Sequence, residues 1–129
     1  MKIIILFIMF FLHIYDDYRA QGILASMKQQ EWWKKNAPQS LYDKDYLMAL
    51  FEHAFSWAFT ITIPWLVIGI KENNVTIYCA LIGSYIMNTS FHAIIDDLKA
   101  NQHLISLVQD QLFHFFQVLI TWIIFCIIS

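Results

Sequence analysis

Apolar positions along this chain gather into four runs. Ile3 to Leu12 holds no polar side chain, and helical spacing then continues through His13 and Asp17 toward Gln21. Tyr46 to Ile70, Val75 to about Lys99 and Leu107 to Ser129 follow, separated by the polar stretches "KENN" (71–74) and "ANQH" (100–103). Each run approaches or exceeds the ~20 residues with which a helix crosses the hydrocarbon of a bilayer. The pattern predicts an all-α, polytopic membrane protein: a single domain over 1–129, built as a bundle of about four transmembrane helices at 2–21, 46–70, 75–99 and 107–129. Pro64 lies late in the second run, where a kink is expected.

The first connection has a different character. "GILASMKQQEWWKKNAPQSLYDKD" (22–45) is polar and basic with a tryptophan pair, which predicts an interfacial helix ending near Pro38, its indoles at headgroup depth. An interfacial anchor fits this segment better than a substrate lid. The short basic start and apolar core around Ile3–Leu12 also fit a secretory signal peptide, but "DDYRAQG" places charge where cleavage needs small neutral residues, so the span is expected to stay.

Composition reinforces the membrane reading, with 59% hydrophobic, 17% aromatic and only 14% charged residues. Trp57, Trp65, Phe115, Phe116 and Trp122 read as packing and belt residues. A net charge of -2 provides no concentrated basic face, so nucleic acid is not an expected partner. Cys79 and Cys126 sit far apart in apolar surroundings and read as free thiols. The loops after the first and third spans hold Arg19, Lys28, Lys34, Lys35, Lys44 and Lys99, against Lys2 and Lys71 on the opposite side. By the excess of positive charge, those loops and the ends they join are expected to be cytoplasmic.

The candidate chemistry lies at that same end. Successive spans run antiparallel, so residues late in one helix meet residues early in the next. His13 lies eight residues before Gln21, His53 seven after Tyr46, His92 seven before Lys99 and His114 seven after Leu107. At 1.5 Å per residue, all four sit about 10–12 Å inside one membrane face. Asp17 and Asp96 follow His13 and His92 by four residues, and Asp110 precedes His114 by four, which puts each pair on one helical face. The second helix has Ala49 at that level, and Gln21, Lys99 and Gln111 rim the opening.

Ionisable groups in hydrocarbon cost several kcal/mol unless they face the interior and find partners. Imidazoles and carboxylates in a bundle core form a ligand set for a divalent metal ion. His13, His53, His92, His114, Asp17, Asp96 and Asp110 are the expected ligands. Zinc suits their number best, with iron or manganese as alternatives. Asp16 and Asp97 read as surface or interface positions and His103 as solvated, whereas Glu52, well inside the second span, is expected to pair with Lys99 or Lys28 or to act as a base.

The motifs H-x-x-x-D-x-x-x-Q (His13, Asp17, Gln21), H-x-x-x-D-x-x-K (His92, Asp96, Lys99) and D-Q-x-x-H (Asp110, Gln111, His114), with His53 between them, cover nearly the whole chain. Their arrangement resembles a family of small bacterial and phage integral membrane proteins, the uncharacterised family called domain of unknown function thirty-three-oh-seven. Lys28 resembles the lysine that follows the first motif in that family. The resemblance implies a polytopic helical protein of the bacterial inner membrane, and in architecture it is similar to the membrane-bound metal-dependent hydrolase group.

Three functions are consistent with this layer. The first is a metal-dependent hydrolase acting on a lipid or other membrane-associated substrate, with water activated by the cation, Asp17, Asp96 or Asp110 taking the proton, and Lys99, joined by Lys28, holding an anionic group. The second is transport of protons or metal ions. Against it stands the opposite half of the bundle, which reads as almost wholly apolar, although a homo-oligomer would supply a path. The third is a non-catalytic interaction protein whose His/Asp layer only fixes helix packing. No P-loop, G-x-S-x-G or H-E-x-x-H pattern is present and no cysteine is placed beside a histidine, which disfavours serine- and cysteine-hydrolase chemistry.

Overall fold

The computed structural model describes all 129 residues and contains helices but no strand. Six α-helices follow one another: α1 (Lys2–Tyr15), α2 (Leu24–Met27), α3 (Gln30–Asn36), α4 (Asp45–Glu72), α5 (Val75–Ala100) and α6 (Leu107–Ile128). α4, α5 and α6 match the last three expected runs, and α4 passes through Pro64 without interruption.

Two stretches are long and apolar enough to cross a membrane, Ser40–Glu72, which contains α4, and α6. The other two fall short for different reasons. α1 ends after 14 residues, and Asp16–Ala20 prolong it as a π-helical turn. α5 has the length, at 26 residues, but Asn88, Thr89, Ser90, His92, Asp96 and Asp97 dilute its hydropathy.

The first connection also departs from expectation, forming two short helices instead of one. Gln29 breaks them with an extended backbone, φ -100° and ψ 126°. The Trp33 indole N–H then donates to the Met27 carbonyl at 2.6 Å, and its ring stacks on Tyr42, so this tryptophan folds the loop onto itself. α3 ends at Asn36, just ahead of Pro38, as the sequence predicts.

Local signals fix the remaining ends. Asn73 closes α4 in the left-handed region at φ 48°, and the Asn74 side chain accepts from the amides of Thr76 and Ile77 to start α5. At the same corner Gly69 lets α5 approach closely, for a Cβ there would meet Ile77 Cγ2 at 3.0 Å. Ser106 and Gln109 form a capping box at the start of α6. Its far end meets α1, where Lys2 Nζ donates to the carbonyls of Cys126 and Ser129, both at 2.9 Å. A cation on the last carbonyls complements the helix dipole.

Each long helix turns an i, i+4 row inward: Ile5, Met9 and His13; Ala49, His53, Trp57, Ile61 and Trp65; Ser84, Asn88, His92 and Asp96; Asp110, His114 and Val118. Toward the Lys2 end these rows build an apolar core, in which Trp65 stacks on Phe125 at 4.8 Å. Toward the other end the interior is polar. Of the 29 buried residues 15 are polar or charged, while Phe7, Phe11, Phe55, Phe59, Ile86, Phe116 and Ile120 are exposed on the outside. A water-soluble domain distributes these residues the other way round.

Candidate metal centre

α1 and α4–α6 bring His13, His53, His92 and His114 into the interior with no solvent exposure, and Asp17, Asp96 and Asp110 lie buried beside them. Their arrangement is set across helices more than along them. Asp17 reaches over to α4, where its Oδ1 lies 3.2 Å from His53 Nε2. Asp96 uses both oxygens: Oδ2 lies 3.3 Å from His53 Nε2, and Oδ1 lies 3.2 Å from His114 Nε2. Asp110 Oδ1 lies 3.3 Å from His114 Nε2, and the Nε2 atoms of His53 and His92 face each other at 3.0 Å.

The donor atoms fall into two overlapping groups able to hold a metal ion, Asp17–His53–His92 and His92–Asp96–His114, each with its atoms within 4.8 Å of one another. Bonds of ~2.0–2.1 Å in a tetrahedral zinc site separate neighbouring ligand atoms by about 3.3 Å. Within the groups the spacings of 3.0 and 3.2 Å come near that requirement, whereas His92 Nε2 stands wider, 3.9 Å from Asp17 Oδ1 and 3.8 Å from Asp96 Oδ1.

Neighbouring side chains fix the rings. His92 is stacked between Trp57 at 4.2 Å and His114 at 4.0 Å, which holds the plane of its imidazole. His114 Nδ1 meets Gln117 Oε1 at 3.0 Å; as that oxygen only accepts, Nδ1 carries the proton there and a neutral ring turns its Nε2 lone pair toward the aspartates. Gln117 Nε2 is in turn held by the Asn88 carbonyl at 3.2 Å, and Asn88 Nδ2 donates to Thr121 Oγ1 at 2.8 Å. The Nδ1 atoms of His53 and His92 are buried without a partner.

His13, expected among the ligands, stands apart from both groups. The indole N–H of Trp57 donates to its Nδ1 at 2.8 Å, so the neutral ring keeps its proton on Nε2, a donor instead of a metal ligand. Of the packing and belt roles expected of them, Trp57 and Trp65 take the packing one: both are buried, and Trp65 Nε1 donates to Met9 Sδ at 3.3 Å. An indole ring of this kind looks the same in sequence whether it faces lipid or a histidine.

Asp16 is buried as well, with Oδ1 accepting from Ser56 at 3.2 Å and Thr60 at 3.1 Å on α4. The π turn explains how two consecutive aspartates both turn inward. Its wide backbone bond, from Gln21 N to Asp16 O, rotates the chain less per residue than an α-turn, so Asp16 faces α4 while Asp17 faces the cluster.

Two lysines close the mouth. Lys28 Nζ lies 2.5 Å from Asp96 Oδ2 with both side chains nearly sealed from solvent, and Lys99 Nζ lies 2.6 Å from Asp110 Oδ2. Gln111 Nε2 donates to Asp17 Oδ2 at 2.8 Å. A polar cavity of about 130 Å³ opens here, lined by Asp17, Tyr18, Gln21, Lys28, Lys99, Leu107 and Gln111. Asn101 positions Lys28, since its side chain donates to the Lys28 carbonyl at 3.1 Å and accepts from the Gln30 amide at 2.8 Å.

Three further residues lie outside the cluster, Asp97 and His103 as expected and Glu52 against expectation. Glu52 is exposed on the outer side of α4, and the lysines expected to pair with it are held by Asp96 and Asp110. Asp97 binds Asn101 and Gln102 outside the cluster, and His103 is exposed with φ 54°. No family model matches this chain, and neither a curated protein nor a solved structure matches it.

Proposed function

We propose that this chain is a four-span integral membrane protein whose buried histidines and aspartates hold a divalent metal ion, zinc first, and that it is a metal-dependent hydrolase of lipid phosphate or another membrane-associated ester. On this reading α1 with its π turn and α5 cross the bilayer beside α4 and α6. The polar end faces the cytoplasm from a bacterial inner membrane, and the chain belongs to the family its motifs resemble. Immersion is supported by the inverted distribution of side chains, polar within and apolar without. α1 with its π turn carries His13, Asp16 and Asp17 toward the bundle interior, and α5 carries Ser84, Asn88, His92 and Asp96 there, the one place where hydrocarbon tolerates them.

The observation that carries the metal reading is the convergence of His53, His92 and His114 Nε2 on the oxygens of Asp17, Asp96 and Asp110. Where the facing ring nitrogens are unprotonated they repel the carboxylate oxygens, and the three aspartates outnumber Lys28 and Lys99. A cation among them relieves both conflicts. When bound, it supplies Lewis acidity, polarising the ester and lowering the pKa of a water toward neutrality.

The chain's own groups do the rest. Asp17 lines the cavity and takes a proton from water through Oδ2; the oxygen adds to phosphorus, the ester P–O bond breaks, and the proton passes to the leaving oxygen. Lys99 and Lys28 hold the anionic group at the mouth. The apolar core beyond the histidines keeps bulk water from the other side. Metal measured by mass spectrometry in detergent-purified protein tests the reading: the wild type should contain a divalent transition metal, and His92→Ala and His114→Ala should lose most of it. A metal-free wild type would remove the proposal.

The chain Gln117–Asn88–Thr121 favours a second reading, because it carries polar groups past the histidine layer toward the opposite face. Proton transport would use such a relay. Phe125, Ile61 and Ile77 close it off within one chain. Proton flux into proteoliposomes, measured with and without a pH gradient, separates the two, since a hydrolase generates none.

A further inference from the structure

The metal reading above leaves a question of number. The two donor groups share only His92, whose single inward nitrogen serves one ion. Two ligands of one ion lie at most about 4.2 Å apart, twice the usual bond length, and the donors divide into two sets instead of gathering into one. Asp17 Oδ1, His53 Nε2 and His92 Nε2 make the first set. With His92 given to the first ion, the second group keeps Asp96 Oδ1 and His114 Nε2, and Asp110 Oδ1, outside both groups but 3.3 Å from His114 Nε2, would take the place of His92; Asp96 Oδ2 returns to within 3.3 Å of His53.

Resting on the metal reading of this site, we propose that the centre is dinuclear, with the Asp96 carboxylate bridging two divalent ions. An independent observation supports the second ion. Asp110 has no solvent exposure, yet its Oδ1 lacks any hydrogen-bond donor, while its Oδ2 is held by Lys99. A buried carboxylate oxygen left bare is costly unless a cation meets it. Bridging carboxylates and ions about 3.5–4 Å apart are the arrangement used to clamp phosphate esters.

Charge points to the same class of ligand. The ammonium groups of Lys28 and Lys99 now lie on Asp96 Oδ2 and Asp110 Oδ2, the carboxylates that the second ion needs. Two divalent ions more than reverse the negative balance of the aspartates. A loaded site therefore draws in an anion, and the cavity lined by both lysines is where a doubly charged phosphate would sit.

The test uses the full chain in detergent, stripped with chelator and reconstituted with Mn²⁺. About two ions per chain are expected, and their electron paramagnetic resonance spectrum should be that of a coupled pair, as a separation of about 3.5–4 Å requires. Asp110→Asn should halve the count and restore the hyperfine pattern of an isolated ion, and Asp17→Asn should do the same from the other side. A wild type that binds about one ion, uncoupled, overturns the dinuclear proposal while leaving the hydrolase reading in place; binding of none overturns both. The wild-type count decides the matter even if a variant fails to fold.

Discussion

Gln117 is the side chain that best separates a metal site from mere packing. Through His114 Nδ1 it fixes which ring nitrogen faces the aspartates. Replacing such an outer partner typically costs 10–100-fold in metal affinity. Gln117→Leu, close in volume, is therefore expected to weaken Zn²⁺ binding by about that factor in competition against a fluorescent chelator. If the cluster were only interhelical glue, the same variant would change stability and leave no metal affinity to measure. The positions of His114 and Asp110 were legible in sequence because they recur at i, i+4 in an apolar helix. Gln117 was not, since a glutamine three residues on differs in no way from one at a rim.

Among the elements, the first connection departs most from its expected form, and the break at Gln29 has a consequence. It lets α2 deliver Lys28 into the cluster at the level where α4 supplies only Ala49. Asn101, at the end of α5, holds both sides of the break. Asn101→Ala removes those bonds at a cost of about 1–3 kcal/mol. Tryptic cleavage at Lys28, Lys34 and Lys35 should quicken accordingly, with α4 and α6 left intact in the digest. Equal cleavage rates in variant and wild type would show that Asn101 does not hold the loop. The π turn at Asp16–Ala20 belongs to the same class of surprise: helical periodicity forecasts one inward aspartate there, and the wider turn buries two.

For the molecule as a whole, the interior divides into an apolar half, held by stacked Trp65 and Phe125, and a polar half in which histidines and aspartates gather beside Lys28 and Lys99. Metal bound only by the folded state stabilises it by RT ln(1 + [L]/Kd), roughly 4 kcal/mol at a thousandfold excess over Kd. Chelation of the purified protein should lower its melting temperature by on the order of 10 °C. The His53→Ala, His92→Ala, His114→Ala triple variant should melt at one temperature with or without chelator. An unchanged wild-type melt would mean that the fold owes nothing to metal.

The order of helices and the burial of the four histidines followed from the amino acids alone. Apolar runs of helical length leave few alternatives, and an ionisable group recurring every fourth residue turns away from apolar surroundings toward its own kind. Which atoms meet did not follow. Asp17 binding His53 across the bundle instead of His13 above it, Lys28 arriving from a loop and Trp57 claiming His13 all depend on how the helices rotate against one another and on which rotamer each side chain takes. Those choices are settled by contacts between segments far apart in the chain, and no local pattern records them.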